Sequence, residues 1–334
     1  MIRKASVFLI AAIVLSLVAT VGAVAEEQYV LKIGSVTNES HPYYQTFQKV
    51  FVPYIEEHAG DRIKVEFYFN GQLGGDREMV EMLQYGALGM DCATPSTLSS
   101  FDKRFQVLTL PYLFKTKEMA YSSLDGEFGQ TLDSYLPKIN LYNLGYFENG
   151  FRHITNNRKP VYSPEDVKGL KIRTQENPAH IEYFRAAGAN PTPMNWGELY
   201  TALQQGTVDA QENPLVLILE AKFYEVQKYV SLTGHVYSPT MLVTSKVWFD
   251  SLPEDLQEIV KEASRRFCAA ERELINEEEK HARARLEEHG MEVNELTPEQ
   301  IDAFAEKAVS VYEKARKVVG DELVDLALEI RNQD

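Results

Sequence analysis

Past Pro253 the chain runs to Gly290 without another proline or glycine. As a single helix, residues 252–289 would count 38 residues and extend about 57 Å at the α-helical rise. That is longer than one small lobe is wide, so the stretch implies a helix that crosses between two lobes. Ser251 with Glu254 three residues on reads as a capping box, and Pro253 falls in the first turn. The run Glu277–Glu279 reads as a solvated helix face. Thr297-Pro298-Glu299-Gln300 opens a last helix in the same way, and Gly320 is placed to end its main run.

The amino terminus reads as an export signal. Arg3 and Lys4 precede an apolar run over 5–24 that only Ser6, Ser16, Thr20 and Gly22 interrupt. Ala23-Val24-Ala25 then offers small residues to a signal peptidase, and Glu26-Glu27-Gln28 turns polar. The alternative is a retained anchor, since the run approaches spanning length; the Ala-x-Ala site favours a signal peptide over residues 1–25, cleaved after Ala25 in the periplasm. No cysteine stands near the cleavage point, and no second apolar segment reaches spanning length. Loss of Arg3 and Lys4 moves the net charge from -15 to -17, which excludes nucleic acid as a partner. Cys92 and Cys268 fit no metal or redox spacing and read as small buried hydrophobes, with a disulfide between them as the alternative in an oxidising compartment.

Between these ends short apolar strands alternate with helical patterns, predicting an α/β fold with mainly parallel strands. Strands are expected at 30–36, 63–69, 90–94, 141–147, 170–174 and 208–211, and helices at 43–57, 76–84, 178–187 and 197–205. Several helices stop at a glycine: Gly60, Gly86, Gly188 and Gly206.

Catalytic signatures are missing. The chain has no Gly-x-Ser-x-Gly, no His-Glu-x-x-His, no phosphate-binding loop and no dinucleotide fingerprint. Its seven histidines follow no ligand spacing, so neither metal nor cofactor is implied. The glycine-rich Gly71-Gln72-Leu73-Gly74-Gly75-Asp76 reads as a strand-to-helix turn with an amide-rich helix start. Two arginines in strand contexts stand out: Arg152 in Gly150-Phe151-Arg152-His153 and Arg173 in Gly169-Leu170-Lys171-Ile172-Arg173. An arginine at the carboxyl end of a strand faces the crevice where α/β sheets bind ligands, and its planar fork suits a carboxylate. A structural ion pair or a solvated strand end is the other reading for either one.

A third segment narrows the choice. It runs Pro191-Thr192-Pro193-Met194-Asn195-Trp196, then Gly197-Glu198-Leu199-Tyr200, then Asp209-Ala210-Gln211-Glu212-Asn213-Pro214. With Gln72-Leu73-Gly74, Leu110-Pro111-Tyr112 and Phe223-Tyr224-Glu225-Val226-Gln227, these residues resemble the DctP-type substrate-binding subunits of tripartite ATP-independent periplasmic (TRAP) transporters. The resemblance covers essentially the whole mature chain.

It implies a two-lobed, hinged fold of periplasmic-binding-protein type with a long helix spanning both lobes. Residues 26–148 plus 239–278 would form lobe I, and 149–238 plus 279–334 lobe II. By the resemblance Arg173 makes the main salt bridge to a ligand carboxylate, Arg152 adds a second contact and Asn213 reaches the same group. Trp196 lines the pocket, where it stacks on the ligand or packs in the core. Glu176, Thr94 and Tyr237 fall on positions that vary with ligand, Gln72 belongs to the first lobe's contribution, and His41 in Glu39-Ser40-His41-Pro42 is similar to some sugar-acid binders. Ala210 departs from the family's usual glycine. Trp196 and Glu176 differ from the sialic-acid binders, which disfavours that ligand.

The expected function is capture of a small carboxylate by lobe closure. A C4-dicarboxylate, a sugar acid and another organic acid all remain open. Delivery would be by a monomer to the small and large TRAP membrane subunits. A sensor module and a periplasmic enzyme on the same scaffold are the competing readings.

Overall fold

The computed structural model describes residues 27–333, and the expected signal peptide lies outside the described residues. Among the described residues nine strands form one sheet: β1 Tyr29–Gly34, β2 Ile63–Tyr68, β3 Met90–Ala93, β4 Leu141–Asn156, β5 Lys171–Thr174, β6 Asn190–Pro193, β7 Ala210–Asn213, β8 Tyr229–Ser245 and β9 Glu292–Glu295. Their order is β2-β1-β3-β8-β4-β7-β5-β6, with β9 beside β8.

Most strand pairs are parallel, as expected, but the sheet is mixed at its centre. The outer pairs β1–β2, β1–β3, β5–β6, β5–β7 and β8–β9 are parallel, but β3–β8, β8–β4 and β4–β7 are antiparallel. The cause is two long strands, β4 of 16 residues and β8 of 17. β3 pairs with the carboxyl end of β8, at Met241–Thr244, and β7 with the carboxyl end of β4, at His153–Asn156. One group of strands therefore hangs at each end of the β4–β8 ribbon, which makes the α/β fold two-lobed.

Between the two groups the ribbon is irregular. Its register shifts between Asn143 and Tyr146, Glu148 and Gly150, and Arg152 and Ile154. Pro239, which has no N–H to give a ladder, stands opposite Glu148 beside the middle shift. Gly150 is needed there for two reasons: its φ is +115°, and a Cβ on it would come within 3.2 Å of Pro214.

The long helix covers Glu254–Glu288, 35 residues or about 52 Å. Leu256, Val260, Ala263, Phe267 and Cys268 enter a core with Leu31, Phe47 and Phe147. Farther along, Ile275, Ala282 and Leu286 enter a separate core with Leu199, Ile218 and Phe223. One helix thus serves both lobes. Where it crosses, buried Glu271 accepts a hydrogen bond from the Glu148 backbone N–H at 2.9 Å.

The capping box at Ser251 does not form. Ser251 closes a short helix, Lys246–Ser251, and its hydroxyl donates to the Trp248 carbonyl instead. The box at Thr297 and Gln300 is present, but the last helical region breaks into Pro298–Glu306 and Val309–Val319 before Gly320. The helical run over 42–59 contains a π-type turn at Phe47–Phe51. Cys92 and Cys268 are buried free thiols in the first core. Among the described residues no helix is long and apolar enough to cross a membrane, and no His/Cys/Asp/Glu cluster could hold a metal ion.

Candidate functional site

The parallel strands of both lobes point their carboxyl ends at one cleft. From lobe I come Ser35, Val36 and Thr37 after β1 and Thr94 after β3. Lobe II contributes Arg173 on β5, Asn213 at the end of β7 and Trp196 after β6. This is the crevice position that α/β sheets use for ligands.

Arg173 sits third in β5, opposite Thr192 of β6, with 3% of its surface exposed. Its Nε and Nη2 donate to the Met194 carbonyl at 3.0 and 2.7 Å. The other edge of the guanidinium faces two small cavities of about 30 and 40 Å³. No acidic side chain makes an ion pair with it among the described residues. Burial lowers its pKa to about 10, opposed by the attraction of Glu212, so it stays charged at neutral pH.

Arg152 is the opposite case. It is wholly buried, with Nε 2.5 Å from Glu212 Oε2 and Nη2 2.8 Å from Oε1. Nη2 also reaches the Glu212 carbonyl and Asn213 Oδ1. His235 Nε2 lies 3.2 Å from the same Glu212 carboxylate. Burial pushes the Glu212 carboxyl up, but Arg152 and His235 outweigh it and hold the group well below the usual range. Burial keeps the neighbouring His180 neutral, with a pKa of about 3. Arg152 and Glu212 pair with each other, whereas Arg173 makes no ion pair among the described residues and feels Glu212, Asp76 and Glu176 only as nearby charges.

Asn213 borders the larger inner cavity, holding Arg152 through Oδ1 and Gln211 Oε1 through Nδ2 at 2.5 Å. One amide hydrogen remains for a ligand. Trp196 borders both inner cavities while its ring centroid lies 5.5 Å from that of Phe223, so it packs and faces the cleft at once. Thr94 caps the helix Pro95–Leu98 and accepts a 3.2 Å hydrogen bond from Gln175 Nε2. Glu176 is exposed and edges the smaller cavity. His41 caps the helix Pro42–Thr46, lines an outer chamber of the cleft, and is held neutral by burial.

Two expected residues stand elsewhere. Gln72 is exposed in the turn after β2. Tyr237 is turned into the irregular ribbon, where its hydroxyl donates to Glu148 Oε2 at 2.9 Å and its ring packs on Phe114 and Phe151. The buried Glu148 carboxylate holds it there. Conversely, Asp76 and Gln175 border both inner cavities and the sequence reading passed over them. Gln175 was findable, being two residues after Arg173 and so on its side of an extended chain. Its buried Oε1 has no partner.

A buried guanidinium without an ion-pair partner among the described residues, set in a cleft between two lobes, is the arrangement of a site that binds a small anion. The chain belongs to the DctP family: residues 33–317 match bacterial extracellular solute-binding protein, family 7. It is thus a periplasmic binding protein of the kind that serves TRAP transporters. A solute-binding protein of Verminephrobacter eiseniae is 41% identical over 243 residues, 73% of this chain and 72% of its own length. The 2,3-diketo-L-gulonate-binding periplasmic protein of Escherichia coli is 34% identical over 263 residues, 79% and 80% of the two chains. The sugar acid binding protein DctPAm from Advenella mimigardefordensis, solved in complex with galactonate, superposes with a TM-score of 0.88 at 33% identity, over 91% of this chain and 98% of that one.

Proposed function

We propose that the protein captures a small organic acid in the periplasm, anchors its carboxylate on Arg173, and delivers it to the small and large membrane subunits of a TRAP transporter. The observation that carries this reading is the Arg173 guanidinium, which is buried, charged, open to two cavities and without an ion-pair partner among the described residues. A buried charge is costly until paired, and a ligand carboxylate supplies the pair. Asn213 gives a further N–H to the same group. Arg152, already neutralised by Glu212, contributes a hydrogen bond rather than charge. The ligands of the Escherichia coli and Advenella relatives are both acids, which supports the same chemistry here.

Export rests on the signal peptide, cleaved after Ala25. Lobe I is residues 26–148 plus 239–278, lobe II is 149–238 plus 279–334, and closure turns on the ribbon near 148–150 and 238–239. A thermal-shift screen of organic acids tests the reading. An acid at 100 times its dissociation constant raises stability by about 2.7 kcal/mol, whereas neutral sugars and cationic amines leave it unchanged. Stabilisation by an uncharged sugar, with none by any acid, would overturn it.

A further inference from the structure

The cleft continues past Arg173. Trp196 borders all three cavities, and beyond it lies a chamber of about 660 Å³, against about 30 and 40 Å³ beside Arg173. About 10–15 Å³ of such space is enough to hold one water molecule. The inner cavities therefore admit a carboxylate head and little more, and the rest of a longer acid has to lie beyond Trp196.

The chamber's walls restrict what that remainder can be. Glu78 lines it from lobe I, and Glu220, Glu225 and Lys222 from lobe II. Glu220 accepts from Ser40 and Glu225 from Tyr200, each at 2.5 Å. Arg285 approaches Glu220 only to 3.9 Å. Glu78 makes no ion pair among the described residues. Three carboxylates thus face one lysine. At the inner threshold a Cβ built on Gly75 would fall 2.9 Å from Glu78 Oε2 and 3.0 Å from Asn195 Oδ1. Oxygen acceptors from the two lobes converge at that point. The unpaired Gln175 Oε1 adds another beside Arg173. Such acceptors call for O–H donors, while Trp196, Tyr200 and Phe223 offer apolar faces to a carbon chain.

We propose that this outer chamber is a second subsite that holds a neutral, hydroxylated tail and repels a second carboxylate, so that the protein selects polyhydroxy monocarboxylates over dicarboxylates of equal length. This rests on Arg173 being the carboxylate anchor.

The test is calorimetric titration of the mature protein with chain-matched pairs: erythronate with meso-tartrate, gluconate with glucarate, and galactonate with galactarate. Members of a pair differ only in whether the last carbon is CH2OH or carboxylate. The monoacid of the tightest pair should bind at least tenfold more tightly, and Glu78→Gln should narrow that gap several-fold by strengthening the diacid. A diacid that binds as tightly as its partner, succinate as the tightest ligand of all, or a gap unmoved by both Glu78→Gln and Glu225→Gln would overturn the chamber's role while leaving the anchor intact. Arg173→Ala separates the two readings, since it should abolish both members of a pair alike. An acid that keeps its affinity in that variant overturns the anchor. Failure of every acid to bind the wild type removes anchor and chamber together.

Discussion

The guanidinium of Arg152 and the carboxylate of Glu212 meet edge to edge, Nε to Oε2 at 2.5 Å and Nη2 to Oε1 at 2.8 Å, with neither side chain open to solvent. Arg173, two strands away across β7, has no such partner. The two arginines therefore divide the tasks of this site, one holding the fold and the other left short of an anion.

Their variants should differ accordingly in stability. Arg152→Met strands a buried Glu212 carboxylate and should cost about 3–5 kcal/mol. Arg173→Met relieves the burial of a charge but removes the hydrogen bonds to Met194 and the attraction to Asp76, effects of opposite sign. Its ligand-free stability should stay within about 1 kcal/mol of wild type. Urea unfolding of both variants checks this, and equal losses would show that Arg173 is also a structural residue.

Binding should follow the reverse order of cause. Truncating one partner of a buried charge pair costs about 2–5 kcal/mol, so Arg173→Ala should lose roughly thirty- to several-thousand-fold in affinity for a cognate acid. Arg173→Lys keeps the charge but loses the fork, and should bind more weakly and discriminate less. Titration calorimetry decides it; affinity within about threefold of wild type would mean that the carboxylate docks elsewhere.

Asp76 gives binding a pH dependence. Burial raises its carboxyl to about 6, against the pull of Arg173, with Glu78 and Glu176 adding a smaller upward push. Burial likewise pushes the carboxyl of Asp91 beside it well above the usual carboxylate range. A ligand carboxylate docking on Arg173 brings negative charge next to Asp76 and raises that pKa further, so binding takes up a proton. Affinity should increase as pH falls to about 6 and level off below it, then drop as the ligand's own carboxyl protonates near pH 3.5–4, roughly the free carboxyl value. Calorimetry in buffers of different ionisation enthalpy should show proton uptake in the wild type and none in Asp76→Asn. Proton release on binding would contradict the assignment.

What the sequence disclosed follows from where the information is local. Arg173 could be placed because Leu170 and Ile172 alternate with Lys171 and Arg173 on a strand, and the long helix because nothing breaks it between Pro253 and Gly290. β8 has no counterpart among the expected strands, and β4 appears there as a strand over 141–147 with Arg152 in a separate strand context, because Gly150, Gly234 and Pro239 interrupt the apolar pattern that marks a strand. The antiparallel ribbon is held by pairing between segments about ninety residues apart, such as Glu148 with Pro239, and no local pattern reports that. Asp76 reads as an ordinary first-turn acid of the helix Asp76–Gln84. Only the opposite lobe's Arg173 makes it part of a site.

Closure can be tested at the same threshold. Arg173, Arg152, Asn213 and Trp196 belong to lobe II, whereas Asp76, Glu78 and Thr94 belong to lobe I, so a ligand on the arginines is enclosed only when lobe I swings over it. A ligand shifts the open–closed balance by its differential affinity for the two states, and contacts from lobe I provide that difference. Gly75 lies where the lobes approach, and its backbone, with φ -80° and ψ 179°, is one that any residue adopts. Gly75→Val would thus fold normally, at a helix-cap cost of about 1 kcal/mol or less. A Cβ there would meet Glu78 Oε2, the free end of a flexible side chain in the same lobe, at 2.9 Å and Asn195 Oδ1 of the other lobe at 3.0 Å, so the valine presses on the facing lobe once Glu78 turns aside. We expect the variant to keep the Arg173 anchor, bind more weakly and remain open. Small-angle scattering should show the wild-type radius of gyration fall on saturation with a verified acid, and the Gly75→Val value hold steady at equal occupancy. Wild-type curves that do not change at saturation, with superimposable free and bound crystal structures, would eliminate the hinge and leave a static pocket.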